Sequence, residues 1–344
     1  MNGDDPMTEN TPAPRPRRRR WVIWLAALST VGMLIVIMQG SAVTVTGSGD
    51  GCGEHWPLCH GKFVPEYTVA TALEYSHRLV SGIEGLLIAG FAVGALMYWR
   101  WRTEVQILVP VMILFLLIQA ALGWAAVMYQ NSDAVLALHF GISLTAFASV
   151  LLLAVVIMEM GKSEKYRDRG VPKYFRAYIG GVIVYTYLLV YVGAYVRHTQ
   201  SSLACVDWPL CNGAVFPGFS GAVGIQFGHR LMALGAMLLI AGLVYWTWKF
   251  RKERPDLFWG SVVSLTLVLV LAISGGIVVL TQLNLFSGLA HTALATLLFG
   301  SLSYIVLHTI PNPATVRQPA QAALERQDEP AHRGELGVPT AGDD

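Results

Sequence analysis

Long apolar runs separated by short polar or glycine-rich stretches occupy most of the chain from residue 21 to residue 310. Eight runs reach about 20 residues, the length needed to cross a hydrocarbon core of roughly 30 Å. They cover 21–43, 77–99, 105–129, 135–160, 174–196, 226–249, 257–281 and 287–309. The pattern predicts an all-α polytopic membrane protein with eight transmembrane helices. The ends, residues 1–20 and 311–344, are rich in Pro, Ala, Arg and acidic residues without apolar periodicity, and read as disordered tails.

Composition strengthens this picture: 54% of the 344 residues are hydrophobic and 13% charged, against about 25% charged in an ordinary soluble domain. Lys and Arg collect before the first span ("RPRRRR"), in "RWR", in "GKSEKYRDRGVPKYFR" and in "KFRKERPD". Cationic residues in short loops stay on the cytoplasmic side. The expected location is therefore the plasma membrane, with both termini cytoplasmic and the alternate loops outside. The first span is too long for a signal-peptide core, and no cleavage site convincingly follows it, so it is expected to be retained. A net charge of +2 gives no hint of a nucleic-acid partner.

Two of the outer loops say nearly the same thing: "GCGEHWPLCHG" at 51–61 and "ACVDWPLCNG" at 204–213, which together hold all four cysteines. Trp56 and Trp208, Pro57 and Pro209, Cys59 and Cys211, and Gly61 and Gly213 are each 152 residues apart. The same offset carries His77-Arg78-Leu79 onto His229-Arg230-Leu231 and His139 onto His291. Four spans per repeat give both halves the same orientation, related by an axis along the membrane normal. The expected organisation is two tandem pseudo-symmetric four-helix bundles, residues 21–160 and 174–310, joined by a cytoplasmic linker at 161–173.

Histidine within a membrane span needs a partner or a task. His77 and His229 are expected to open the second and sixth spans, while His139 and His291 lie within two turns of the outer ends of the fourth and eighth. All four then share one layer. Each could be a hydrogen-bonded packing residue, but repetition at a fixed offset favours two imidazoles per bundle on a haem iron. Gly82, Gly85, Gly123 and Gly141 in one half, and Gly235, Gly275 and Gly276 in the other, would leave room for a flat macrocycle, though small residues also serve plain helix packing. A zinc site would want a third ligand per half, and the second half offers none nearby. Arg78 and Arg230 follow two of the ligand candidates, where they would meet haem propionates or snorkel to the interface. His55, His60 and His198 fall in outer loops, His308 at the cytoplasmic end of the last span and His332 in the tail.

The repeat breaks at two acidic positions. Glu74, one helical turn before His77, is matched by Gln226, which keeps the shape without the ionisable group. Only the first half then has a carboxylate able to move protons beside its haem site. The alternative is a helix-end anchor favoured by the dipole. Glu84, seven residues beyond His77 on the same face, is matched by Ala236 and would serve either a proton path or a polar pocket contact.

Across about residues 21–310, the eight spans, "CGEHWPLC", "EYSHR" and the histidines at 77, 139, 229 and 291 resemble the haem A synthase family in its bacterial form. That resemblance implies an oxidoreductase that converts the C8 methyl of haem O to a formyl group, giving haem A for cytochrome oxidase. It places the substrate haem between His77 and His139, a permanent haem b cofactor between His229 and His291, and the catalytic role on Glu74. The implied partners are haem O, haem O synthase (protohaem farnesyltransferase), cytochrome oxidase assembly factors and membrane lipid, and a homo-oligomer is left open. Cys52 with Cys59 and Cys205 with Cys211 are expected to form two structural disulfides, with a redox role as the alternative. Rival classes are a dihaem electron-transfer protein, an outer-face thiol-disulfide oxidoreductase and a transporter.

Overall fold

The computed structural model describes residues 20–311, apart from 130–131, 161–163 and 168. Apart from Arg20, which opens the first helix, and Pro311, both expected tails lie outside the described residues, as do His332 and part of the 161–173 linker. The chain runs through α1 (Arg20–Val45), α2 (Val69–Trp99), α3 (Thr103–Met128), α4 (Asp133–Met158), a single-turn α5 (Glu164–Arg167), α6 (Lys173–His198), α7 (Gly221–Lys249), α8 (Pro255–Leu280) and α9 (Leu285–Thr309). All but α5 are long and apolar enough to cross a membrane, which makes this a multi-pass membrane protein. At 1.5 Å per residue the 26 residues of α1 extend about 39 Å.

Most span limits agree with the apolar runs to within two residues, and two do not. Helix α2 begins eight residues before residue 77 because Thr68 caps it, its hydroxyl accepting from the Thr71 amide at 3.0 Å. Helix α7 begins at Gly221, five residues before residue 226. His77 and His229 therefore do not open their helices. Val69 to His77 and Gly221 to His229 are both steps of eight residues, and Asp133 to His139 and Leu285 to His291 are both steps of six.

Helices α1 to α4 pack on one another, as do α6 to α9, around two apolar clusters. A seam of α1 and α4 against α6 and α9 joins them. Flanked on both sides, α4 has 67% of its apolar window buried, against 17% for the peripheral α3. Glycines allow close approach at the seam: a side chain at Gly300 would meet Leu151 and Phe147, and one at Gly141 would strike Tyr191. Polar contacts close both ends. At the end bearing the cysteine loops, Ser41 and Thr292 hydroxyls lie 3.0 Å apart and Arg197 donates to the Thr44 carbonyl at 3.1 Å. At the opposite end His308 contacts Glu159 at 3.0 Å, and Arg167 pairs with Glu104 at 2.9 Å.

Candidate functional site

The cysteine loops fold alike. Cys52 is bonded to Cys59 and Cys205 to Cys211, as expected. After the second cysteine of each pair comes a tight reversal, His60-Gly61 or Asn212-Gly213, with φ of 50° and 72° or 53° and 75°. Those left-handed values suit Asn-Gly, and the flanking residues exchange backbone hydrogen bonds as a minimal hairpin. His60 is tied to this loop by its side chain, 3.0 Å from the Gly51 carbonyl. Asp207 accepts from the amides of Gly213 (2.8 Å) and Asn212 (2.6 Å), and these hydrogen bonds hold its carboxyl below the usual range. All four cysteines are at most 1% exposed. Thiol-disulfide exchange requires a thiolate to reach a sulfur, so this burial favours the structural role.

Each loop is fastened to the helix that follows it. Arg78 donates to the carbonyls of His55 (2.6 Å) and Leu58 (2.8 Å), and Arg230 to those of Asp207 (3.0 Å) and Leu210 (2.6 Å), the same loop positions in both repeats. Glu74, 4% exposed, accepts from the Cys52 amide at 2.8 Å and from Arg78 at 2.5 Å. Gln226 accepts from the Cys205 amide in the matching place and donates to the Ser202 carbonyl at 2.7 Å. The arginines thus act here as loop clamps, a task the sequence did not reveal. Charged hydrogen bonds contribute about 1.5–3 kcal/mol each. Arg230→Ala is accordingly expected to loosen residues 206–218, seen as faster proteolytic cleavage there while the helical circular dichroism is unchanged.

Below the loops lie the four histidines, all half-buried. Each imidazole rests its Cε1 over a glycine of the preceding helix. A Cβ added at Gly40 would stand 3.2 Å from His77, at Gly123 3.4 Å from His139, at Gly193 3.1 Å from His229 and at Gly275 3.2 Å from His291. Gly123 and Gly275 therefore seat imidazoles rather than make general room. Gly276 and Gly235 instead receive the Trp208 ring and the Tyr185 hydroxyl, while Gly82 and Gly85 face open space. Gly40 and Gly193 were not singled out by sequence, although the repeat extends to them at an offset of 153 residues.

The hydrogen bonds around the rings differ between halves. Ser274 donates its hydroxyl to the Leu271 carbonyl at 2.7 Å, so toward His291 Nδ1, 2.9 Å away, it can only accept. In that arrangement Nδ1 carries the ring proton and the Nε2 lone pair is left for a metal. His139 is instead met by the Gln119 amide nitrogen, 3.1 Å from both ring nitrogens, and that amide also donates to Ser143 at 2.6 Å. Neither Gln119 nor Ser274 carried a sequence signal, since each lacks a counterpart at the repeat offset. Nδ1 of His77 and of His229 is buried without a hydrogen-bond partner. His77 and His139 lie within electrostatic reach of one another, as do His229 and His291. The structure thus brings the expected ligands together in two pairs. Among the described residues no three His, Cys, Asp or Glu side chains gather as a zinc site would require.

His198, expected in an outer loop, is instead the last residue of α6 and lies 3.5 Å from Asp133, and His308 is buried against Glu159 and stacked on Tyr304.

The family model COX15-CtaA, described as cytochrome oxidase assembly protein, matches residues 20–303. A protein of Geobacillus kaustophilus named heme A synthase is 40% identical over 311 residues, covering 89% of this chain and 96% of its own. Its namesake in Geobacillus thermodenitrificans is 41% identical over 309 residues with the same coverage. That of Bacillus licheniformis is 40% identical over 290 residues, covering 82% and 94%. With both its clamped loops and its four histidine-bearing helices inside the matched region, this chain belongs to the COX15-CtaA family of cytochrome oxidase assembly proteins.

Proposed function

We propose that this chain is a haem A synthase, oxidising the C8 methyl of haem O to a formyl group by successive hydroxylations and loss of water, to supply haem A to cytochrome oxidase. The observation that carries the reading is the doubled histidine pair, each ring seated on a glycine, with a carboxylate beside one pair and its amide analogue beside the other. In this reading His77 and His139 hold the substrate haem, and His229 and His291 hold haem b. The donor set fits: two imidazoles per site, with orphaned ring nitrogens at His77 and His229 and a His291 ring oriented by the Ser274 hydroxyl. Bound there, haem b would supply electron transfer, with His229 and His291 as the residues that would hold it.

The remaining steps belong to the chain. Glu74 holds or moves a proton beside His77, and its ties to Cys52 and Arg78 fix where the carboxylate sits. Gln119 holds the His139 ring through its amide nitrogen and would release it where the ring binds the substrate haem. Arg78 and Arg230 would reach propionates only with donor capacity beyond what the loop carbonyls take. The positive-inside pattern of Lys and Arg supports cytoplasmic termini and outer cysteine loops. Haem O synthase and oxidase assembly factors are the expected partners in supply and delivery.

Pigment extraction tests the reading. Purified protein should yield haem b together with haem O or haem A, whereas colourless protein would overturn it. Gly193→Ala, which pushes the His229 ring by a few tenths of an ångström, should perturb the haem b spectrum and leave the fold intact.

A further inference from the structure

The second break in the repeat is unexplained by any step above. Glu84 is 3% exposed in the middle of α2, and its Oε1 has no hydrogen-bond partner. Its other carboxylate oxygen lies against Gly32 of α1, where any side chain would collide with it. The sequence thus keeps a polar group in the apolar interior and clears space for it with a glycine, then leaves an oxygen unsatisfied. Buried polar atoms are nearly always partnered, so an orphan points to a group the protein receives from outside.

Its position says where that group must be. His77 and Glu84 are seven residues apart on one face of α2, a rise of about 10 Å. Gly40 and Gly32, which seat them, are eight residues apart on α1, about 12 Å. A macrocycle held at the level of His77 with its propionates toward the loops would present its opposite edge at the depth of Glu84. The second half differs at both positions. Ala236, fully buried, replaces Glu84. At the 153-residue offset Tyr185 replaces Gly32, and its hydroxyl is satisfied by the Met232 carbonyl at 3.1 Å.

We infer that Glu84 reads the hydroxyl of the hydroxyethylfarnesyl arm of haem O, the group that distinguishes this substrate from haem b. The inference rests on the assignment of His77 and His139 to the substrate haem. In hydrocarbon an isolated charge costs far more than a hydrogen bond returns, so the carboxyl group acts here as a hydrogen-bonding group. It has both a donor and an acceptor to offer an alcohol. The vinyl group of haem b offers neither, so the pocket favours haem O, while the half that keeps haem b has only Ala236 at this level. A site built to bond a hydroxyl rejects the analogue lacking it, because its own polar group is then left unpaired.

The test is an optical titration of the full-length protein, purified from cells that make no haem O, with haem O, haem b and haematohaem, which bears hydroxyethyl groups but no farnesyl chain. The b-type spectrum of the second half reports folding throughout. The parent should bind haem O and haematohaem more tightly than haem b. Glu84→Ala, which copies the second half, should lower that preference about tenfold for both hydroxylated haems. Glu84→Gln, which retains a donor and an acceptor, should keep most of it. If Glu84→Ala loses the b-type spectrum, Glu84→Met, closer in volume, carries the same comparison. An unchanged preference in the apolar variant, with or without loss of turnover, overturns the inference alone. A parent that binds no haem in its first half overturns it together with the assignment beneath it.

Discussion

Glu74→Gln is expected to lower conversion of haem O to haem A about a hundredfold or more, or to stop it at a hydroxylated intermediate, while haem b content stays at the parental level. The magnitude is that of removing a positioned acid-base group. Gln226 is the structural reason why this variant is expected to keep its fold. An amide there already accepts from the Cys205 amide and holds its loop, as Glu74 holds Cys52. The variant loses the ion pair with Arg78, but that guanidinium keeps its two loop carbonyls. Chromatography of haems extracted from cells carrying the variant is the measurement. A normal yield of haem A would leave the carboxylate as a loop anchor only.

His229→Ala and His291→Ala are each expected to abolish the low-spin b-type spectrum, since each removes one of two axial ligands. A graded companion is Ser274→Ala, which frees the His291 ring from the acceptor fixing its proton and should weaken haem b retention about tenfold. Full haem b signal in both histidine variants would remove the assignment of the second half. His77→Ala and His139→Ala should leave that spectrum intact, so the four variants sort the two pairs by colour before any activity is measured.

Much of the fold was legible because hydrocarbon imposes a length on a helix and apolar runs of that length are hard to mistake. The first turns of α2 were not. Thr71, Glu74, Tyr75, Ser76 and His77 make a polar stretch that hydropathy excludes, yet it is helical because Thr68 caps it and the clamped loop covers it. The histidines were legible through repetition. What seats and orients them was not, because Gly40 and Gly193 lie one residue off the offset used, and Gln119 and Ser274 interrupt the repeat. The two acidic breaks were visible as differences in letters. Only the fold separates them, since Glu74 is fully engaged and Glu84 is not.

The seam between the two sets of helices bears on how the protein can be taken apart. Its centre is apolar and close-packed, with Leu151 and Phe147 against Gly300, and its ends are closed by Arg197 on Thr44 and by Glu159 on His308. Cutting the chain between α4 and α6 would expose both the packed glycine surfaces and the buried halves of these polar contacts to lipid, where neither finds a substitute. A single half expressed alone would keep the glycine seats of its own histidines, Gly40 and Gly123 in the first, but would turn the seam faces of α1 and α4 toward lipid, so the two halves are expected to hold their shape only together.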